Sequence, residues 1–307
     1  MRIEILGSAA GGGFPQWNCG CPNCSAVRAG TFPGKARTQT QVALSNDRQS
    51  WYLLNASPDL RLQIEATPAL CPQTHGRSSP IKAVVLTSAD IDQVAGLLSL
   101  RELQPLRIYC TPSLRRILQE QNSVFGMLNR VSGQVVWSDI KPGESFPLAS
   151  ADGKDSGLCC EAFSLSSRYP AYVADRSGLG PEEASLGLIL SSSSGGRLAY
   201  CPAVPAVDDT LLQRLESVDL LLFDGTFWAD DELIRVQGQG ATAREMGHIP
   251  VSSQQGSLRR LAGLRRPRKI FLHVNNTNPM LNESGPEYAQ VSAAGWEIAE
   301  DGLGIEL

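Results

Sequence analysis

Short apolar runs with the two-residue period of β-strands alternate with segments of helical spacing, and this order limits the fold more than any other feature. Several strand-like runs follow one another with no helix between them, which disfavours a fully parallel sheet. We predict one α/β domain with mixed sheets spanning residues 1–307. The predicted strands are 2–6, 41–44, 51–55, 83–86, 107–110, 159–165, 186–190, 197–201, 218–223 and 270–274. The predicted helices are 59–65, 91–103, 112–121, 208–216, 252–264 and 287–293, and residues 131–157 are predicted to form turns.

Charge and composition exclude several classes of function. The 307 residues contain 27 Lys and Arg against 31 Asp and Glu, a formal charge of −4, which argues against a nucleic-acid partner. Only three histidines are present, too few for a zinc hydrolase that holds two ions mainly through imidazoles. No apolar run approaches the roughly 20 residues of a membrane span, and the first residues contain no apolar export segment. We therefore expect a cytoplasmic location.

Three of the eight cysteines form a C-x-C-x-x-C cluster at Cys19, Cys21 and Cys24. Thiolates at this spacing can converge on one soft ion, and zinc needs four tetrahedral ligands. The sequence therefore predicts a structural zinc ion in a loop around 18–25, with His273 or Asn276 as the fourth donor. Three unligated thiols and an iron–sulfur cluster are the alternatives.

Asp90 and Asp92 follow a predicted buried strand, at the end of the strand where α/β sheets place their ligands. Both side chains are therefore candidate site residues. Capping of the following helix by Ser88 or Asp90 is the alternative interpretation.

The segment from Thr87 to Gly96 resembles the signature T-H-x-H-x-D-H-x-x-G of the metallo-β-lactamase superfamily. By this resemblance Ser88 and Asp90 stand at the first two histidines. Asp92 stands at the aspartate and Gln93 at the third histidine. Further motifs resemble those of the superfamily in the same order, namely NASPD, FDGT, GH and FLH.

The later motifs supply three more candidates by resemblance. Asp224 matches a metal-bridging aspartate, His248 a histidine of the transfer-RNA-processing branch, and His273 the last metal-binding histidine. Longer segments are similar, over essentially the whole chain, to the B-protein family of pyrroloquinoline quinone (PQQ) biosynthesis. These segments are GSAAGGGFPQWNCGCPNC, NASPDL, GLLSLRELQPLRIYCT, FDGTFW, MGHIPV and HVNNTNP. The resemblance implies a four-layer αββα metallo-β-lactamase-like sandwich.

The residues matched by resemblance form a carboxylate-rich set with few nitrogens. Two histidines and a carboxylate with open positions suit Fe(II) and oxygen activation. The predicted pocket-metal ligands are Asp92, Gln93, Asp224 and His273. The predicted catalytic residues are Asp90, Asp92 and His248. Two alternatives stay open: His248 as a core histidine bonded to backbone, and His273 as a ligand of the cysteine zinc.

The resemblance implies a step in PQQ biosynthesis, and we predict an iron-dependent oxygenase that hydroxylates the tyrosine ring of a Glu-Tyr-derived precursor. A non-catalytic carrier of PQQ or its precursor towards the periplasm is the first alternative, favoured by Ser88 and Gln93 in place of histidines. A phosphodiesterase-like hydrolase is the second. The expected partners are the small-molecule precursor or PQQ itself and a second copy of the chain.

Overall fold

The computed structural model describes residues Met1–Leu307, which fall into two compact units. Unit 1 comprises Met1–Leu6, Gln41–Gly196 and Gly302–Leu307, and unit 2 comprises Gly7–Thr40 and Arg197–Asp301. The strands are β1 (Arg2–Gly7), β2 (Gln41–Ser45), β3 (Trp51–Leu54), β4 (Ile81–Val85), β5 (Leu106–Cys110), β6 (Val135–Asp139), β7 (Ser145–Ala149), β8 (Asp155–Ser166), β9 (Ser185–Ser192), β10 (Arg197–Cys201), β11 (Leu220–Asp224), β12 (Arg268–Leu272), β13 (Trp296–Ile298) and β14 (Leu303–Glu306). The α-helices are α1 (Pro22–Arg28), α2 (Leu60–Ala66), α3 (Ile91–Val94), α4 (Pro112–Gln119), α5 (Asp209–Leu215), α6 (Glu232–Gln237), α7 (Ser257–Arg260) and α8 (Pro286–Ala293).

Unit 1 is built on a seven-stranded mixed sheet in the order β14-β1-β2-β3-β4-β5-β6. Strands β3 to β6 are parallel to one another, whereas β1 pairs antiparallel with β14 and β2 antiparallel with β3. The parallel strands β3 and β4 are almost wholly buried, which explains their continuous apolar sequences. The same unit contains the antiparallel strands β7, β8 and β9.

A hydrophobic cluster of unit 1 packs helices against the sheet. Leu114, Ile117 and Leu118 of α4 are fully buried in it beside Val84 of β4 and Ile108 of β5. Each such side chain stabilises the fold by about 1.5–3 kcal/mol through burial. This core fixes the carboxyl ends of β3 and β4, where the acidic motif begins.

Unit 2 contains the parallel strands β10, β11, β12 and β13 side by side. Leu220 to Phe223 of β11 are all fully buried, as expected for a strand with neighbours on both sides. Phe271 of β12 stacks on Trp296 of β13 with ring centroids 4.1 Å apart. The carboxyl ends of β11 and β12 therefore lie side by side, and each carries a candidate metal ligand.

The strand–helix alternation predicted from sequence is confirmed, with three corrections. The helix predicted over 91–103 is a single α-turn, Ile91–Val94, followed by a 3-10 helix over Ala95–Leu100. Gly96 explains the change, because a Cβ there would lie 2.1 Å from the carbonyl oxygen of Ser57. The 3-10 helix therefore packs closely against the loop after β3.

The other two corrections concern weak sequence patterns. The helix predicted over 252–264 covers only Ser257–Arg260, because the residues before it form turns. Gly256 lies close to the preceding backbone there, since a Cβ at this position would lie 2.6 Å from the carbonyl oxygen of Pro250. The segment 131–157 contains β6 and β7 rather than turns alone. Strand β6 is half-buried, and β7 carries Pro147 and pairs with β8 alone, so neither shows a clear apolar alternation. No helix of the structure is long and apolar enough to cross a membrane.

The predicted single domain over 1–307 is not tested by this division and stays a prediction.

Candidate metal centres

The first candidate centre is the cysteine cluster of unit 2. The three sulfurs of Cys19, Cys21 and Cys24 all lie within 4.8 Å of one another. Cys24 lies inside α1 rather than in a loop, and Cys21 is the N-cap of this helix, its sulfur accepting from Cys24 N at 3.4 Å. Pro22 suits the first helical position because its missing N–H would have no intrahelical partner there. A local turn therefore gathers the thiols.

Asn276 faces this cluster from the loop after β12. Its Nδ2 lies 3.2 Å from Cys19 Sγ, 3.6 Å from Cys21 Sγ and 3.3 Å from Cys24 Sγ. The loop is held in place because Val274 exchanges backbone hydrogen bonds with Ser8 and Ala10. Of the two fourth donors predicted from sequence, Asn276 lies at the sulfurs and His273 belongs to the second cluster.

The surroundings of the thiols shift their proton affinities in opposite directions. Burial raises the pKa of Cys24 to about 11. Burial would also raise the pKa of Cys19, but hydrogen bonds from Cys21, Cys24 and Asn276 outweigh it and lower that pKa. Cys19 therefore loses its proton more readily than Cys24. Three sulfurs at this separation fit a soft cation such as zinc.

The second candidate centre joins Asp224, His248 and His273, also in unit 2. Their ligand atoms lie within 4.8 Å of one another, and all three residues are buried. Asp224 Oδ2 lies 2.8 Å from His248 Nδ1, and the two imidazoles stack with centroids 5.4 Å apart. His248 is thus bonded to a carboxylate, not held by backbone as a core histidine would be.

Thr226 links all three members of this cluster. Its hydroxyl lies 2.7 Å from Asp224 Oδ1, 3.1 Å from His248 Nδ1 and 2.9 Å from His273 Nδ1. A carboxylate only accepts hydrogen bonds, so a hydroxyl that donates to Asp224 can accept from an imidazole N–H. Thr226 therefore fixes the orientation of both rings from one side.

The electrostatics of Asp224 differ from those of an isolated buried acid. Burial would raise its pKa, but the charges and hydrogen bonds of His248, with His273 and Thr226, outweigh burial and hold the pKa below its ordinary value. The carboxylate also accepts from the backbone N–H of Val204 at 2.8 Å. Asp224 is consequently an anion inside the protein, and a cation is its natural partner.

Backbone conformation places these side chains at the strand ends. Asp224 ends β11, and His273 follows β12 with a left-handed φ of 58°. Gly225 has no room for a side chain, because a Cβ would lie 2.8 Å from Phe271 Cβ. A non-glycine residue held at positive φ is strained, which is common at functional sites.

The acidic motif lies in unit 1. Asp90 is the N-cap residue of α3 and accepts from Ser88 Oγ at 2.7 Å, while Asp92 Oδ2 accepts from Gln93 Nε2 at 2.9 Å. Gln93 is buried and bonds to Asn55 at the end of β3. The predicted site residues thus form two groups, Asp90, Asp92 and Gln93 in unit 1 and Asp224, His248 and His273 in unit 2.

Two functional residues were missed by sequence reasoning. Thr226 and Asn55 both lie inside quoted motifs, FDGT and NASPD, but neither side chain was assigned a role. Their position one or two residues from a strand end was the available signal.

Comparison with known proteins gives the same fold and a family. A family model described as a β-lactamase superfamily domain matches residues 50–274. Coenzyme PQQ synthesis protein B of Pseudomonas entomophila is 44% identical, and the protein of that name from Azotobacter vinelandii is 43% identical, each over 100% of both chains. The crystal structure of Zn(2+)-bound PqqB from Methylobacterium extorquens is 42% identical with a TM-score of 0.92 over 100% of both chains.

These matches confirm the predicted metallo-β-lactamase-like α/β fold. Identity above 40% over the whole length shows that the chain belongs to the coenzyme PQQ synthesis protein B family, within the metallo-β-lactamase superfamily.

Proposed function

We propose that this protein acts in PQQ biosynthesis as an iron-dependent oxygenase that hydroxylates the tyrosine ring of a Glu-Tyr-derived precursor. The name of its relatives supports the pathway. The observation that carries the chemistry is the buried cluster of Asp224, His248 and His273. Two imidazoles and one carboxylate are the donor set that suits non-haem Fe(II).

The donor set fits a redox metal better than a hydrolytic zinc pair. A dinuclear zinc hydrolase would need more imidazoles, and His75, the third histidine, is exposed in unit 1. The zinc reported for the Methylobacterium extorquens protein supports metal binding in general. Zinc and iron share imidazole ligands, so the site requires a test of metal identity.

When bound, iron would supply oxygen activation. One atom of O₂ replaces a ring hydrogen as hydroxyl, the other leaves as water, and an added two-electron reductant with two protons completes the balance. Within the chain, Asp224, His248 and His273 would hold the metal. Thr226 would keep both rings oriented, and its removal would loosen them.

The remaining predicted roles form part of the same proposal. His248, held at Nδ1 by Asp224, is suited to move a proton as well as to ligate. Asp92 as a metal ligand, and Asp90 and Asp92 as catalytic residues, stay predictions, and the Asp90 carboxylate also suits a cationic group of an amino-acid-like precursor. The cysteine cluster would hold a structural zinc ion, because dense thiolate ligation leaves little Lewis acidity. A cytoplasmic location and a homodimer stay predictions.

The experiment is anaerobic loading with Fe(II), followed by O₂, ascorbate and a Glu-Tyr precursor, with mass spectrometry of the product. We expect one added oxygen atom, derived from ¹⁸O₂, and loss of this product in Asp224→Asn. Asp209→Asn, an exposed carboxylate of unit 2, is the matched control and should keep full activity. Iron binding without any oxygenated product would contradict the proposal.

The carrier alternative predicts a different outcome of the same assay. Calorimetry in the presence of chelator would then show binding of PQQ or the precursor with no turnover. Hydrolysis of a phosphodiester after metal loading would instead favour the hydrolase alternative.

A further inference from the structure

A chain of hydrogen bonds in unit 1 fixes the orientation of two buried amides. The backbone N–H of Thr87 can only donate, and it lies 2.8 Å from one side-chain atom of Asn55. That atom must be the oxygen Oδ1, so the other atom of the amide is the donor Nδ2. Nδ2 in turn contacts Gln93 and must meet its oxygen, Oε1.

The same logic reaches Asp92. With Oε1 of Gln93 engaged by Asn55, the remaining atom of its amide is Nε2, and this atom lies 2.9 Å from Asp92 Oδ2. The donor direction therefore follows from a backbone N–H rather than from an arbitrary choice between two amide rotamers. Gln93 presents an N–H, not a lone pair, towards the acidic motif.

Gln93 is also pinned through its backbone. Its backbone carbonyl accepts from the N–H of Ala56 at 2.7 Å, and its backbone N–H donates to the backbone carbonyl of Asp90 at 2.8 Å. The residue is 4% exposed. Turning the oxygen of this buried side chain outward would break its hydrogen bond to Asn55 Nδ2, which would keep the Thr87 hydroxyl, 2.9 Å away, as its other partner. Loss of such a hydrogen bond costs about 0.5–1.5 kcal/mol.

We propose that Gln93 is not a metal ligand but a positioning residue, which holds the Asp92 carboxylate as a charge-assisted hydrogen-bond donor. This replaces the sequence prediction that Gln93 ligates the pocket metal. Asp90 and Asp92 then remain the residues of the motif whose carboxylate oxygens carry negative charge. The inference refines the proposed function at the acidic motif, although its spectroscopic test does not depend on that function.

The first test is nuclear magnetic resonance of the uniformly labelled full chain, with the Gln93 side-chain amide assigned by triple-resonance methods. A proton donated to a carboxylate resonates at low field, so Asp92→Asn should move one Gln93 amide proton upfield. Asp139→Asn, an exposed acid of unit 1 that pairs with Arg115, should not move it. A Gln93 amide proton whose chemical shift is the same in Asp92→Asn as in the wild type would overturn the proposal.

The second test is a zinc titration after the cysteine cluster has been filled. Gln93→Met keeps the length of the side chain and removes both polar atoms, and it should retain the second zinc equivalent that Asp224→Asn loses. Gln41→Met controls for lost stability, because Gln41 is a buried glutamine of unit 1 that bonds to backbone carbonyls.

Loss of the second equivalent in Gln93→Met, with retention in Gln41→Met, would overturn the proposal. A wild-type protein that binds no second equivalent would contradict the proposed function. The amide test would then still decide whether Gln93 positions Asp92.

Discussion

The two candidate centres of unit 2 differ in how the chain assembles them. The cysteine cluster lies within six consecutive positions, Cys19 to Cys24, where a short loop enters the first turn of α1. The cluster of Asp224, His248 and His273 joins the ends of two strands and a distant loop, and its members lie up to 49 positions apart in the sequence. A local cluster depends on a turn, whereas a long-range cluster depends on the packing of the whole unit. The two should therefore respond differently to mutation.

The largest expected effect is on the cysteine cluster. Cys24→Ala should remove one zinc equivalent and lower the unfolding temperature, because structural zinc contributes directly to folding. Zinc content by mass spectrometry and calorimetric unfolding measure both effects. Cys159→Ala, an exposed thiol of β8, should change neither. Unchanged zinc in Cys24→Ala would show that the cluster is not a metal site.

Asp224→Asn tests the long-range cluster. It removes the buried charge beside two imidazoles, and loss of one partner from a buried pair costs about 3–5 kcal/mol. We expect metal at this centre to be lost while the zinc of the cysteine cluster is retained. Simultaneous loss of both metals would mean that the two centres form one cooperative site and do not respond separately to mutation.

Glu232 hydrogen-bonds to two loops, the one after β11 that follows Asp224 and the one after β12 that contains Asn276. Its carboxylate accepts from Trp228 N at 2.6 Å and from the hydroxyl of Thr277, which follows Asn276. Burial raises its pKa from 4.5 to about 7. The folded state then holds a proton that the unfolded state has lost, so stability should fall as pH rises from about 4.5 to 7.

The pKa shift of Glu232 limits this loss of folding stability to about 3 kcal/mol. Urea unfolding across that pH range should show a flatter curve for Glu232→Gln than for the wild type. Asp301, another buried acid of unit 2, remains in both proteins, so the difference isolates Glu232. Parallel curves would contradict the assignment.

The smallest effect is expected at Thr226. Thr226→Val keeps the shape and removes the hydroxyl between the two histidines, a change that typically costs 10–100-fold in metal affinity. A competition titration with a chromophoric chelator measures this loss. Thr31→Val, an exposed site, is the control. Wild-type affinity in Thr226→Val would mean that strand packing alone orients the rings.

The same comparison explains what the sequence could predict. Spacing alone reveals Cys19, Cys21 and Cys24, since residues so close in sequence must be close in space. Asp224, His248 and His273 were identified only through motifs of a known family, because no local pattern records which strand ends meet. Edge strands such as β6 and β7 were missed because half-buried strands lack a clear apolar alternation.

Hydrogen-bond direction lay beyond sequence reasoning altogether. Gln93 was predicted as a ligand from its place in the signature. The bond from Thr87 N to Asn55, which fixes the direction of its amide, depends on the packing of β3 against β4. Tertiary packing sets this direction, and no local sequence pattern records it.

Anomalous scattering from crystals of the anaerobically iron-loaded protein, collected at the iron and zinc edges, tests the central claim most directly. We predict a zinc peak among the sulfurs of Cys19, Cys21 and Cys24, and an iron peak within bonding distance of Asp224, His248 and His273. An iron-loaded crystal with no peak at the second cluster would contradict the account.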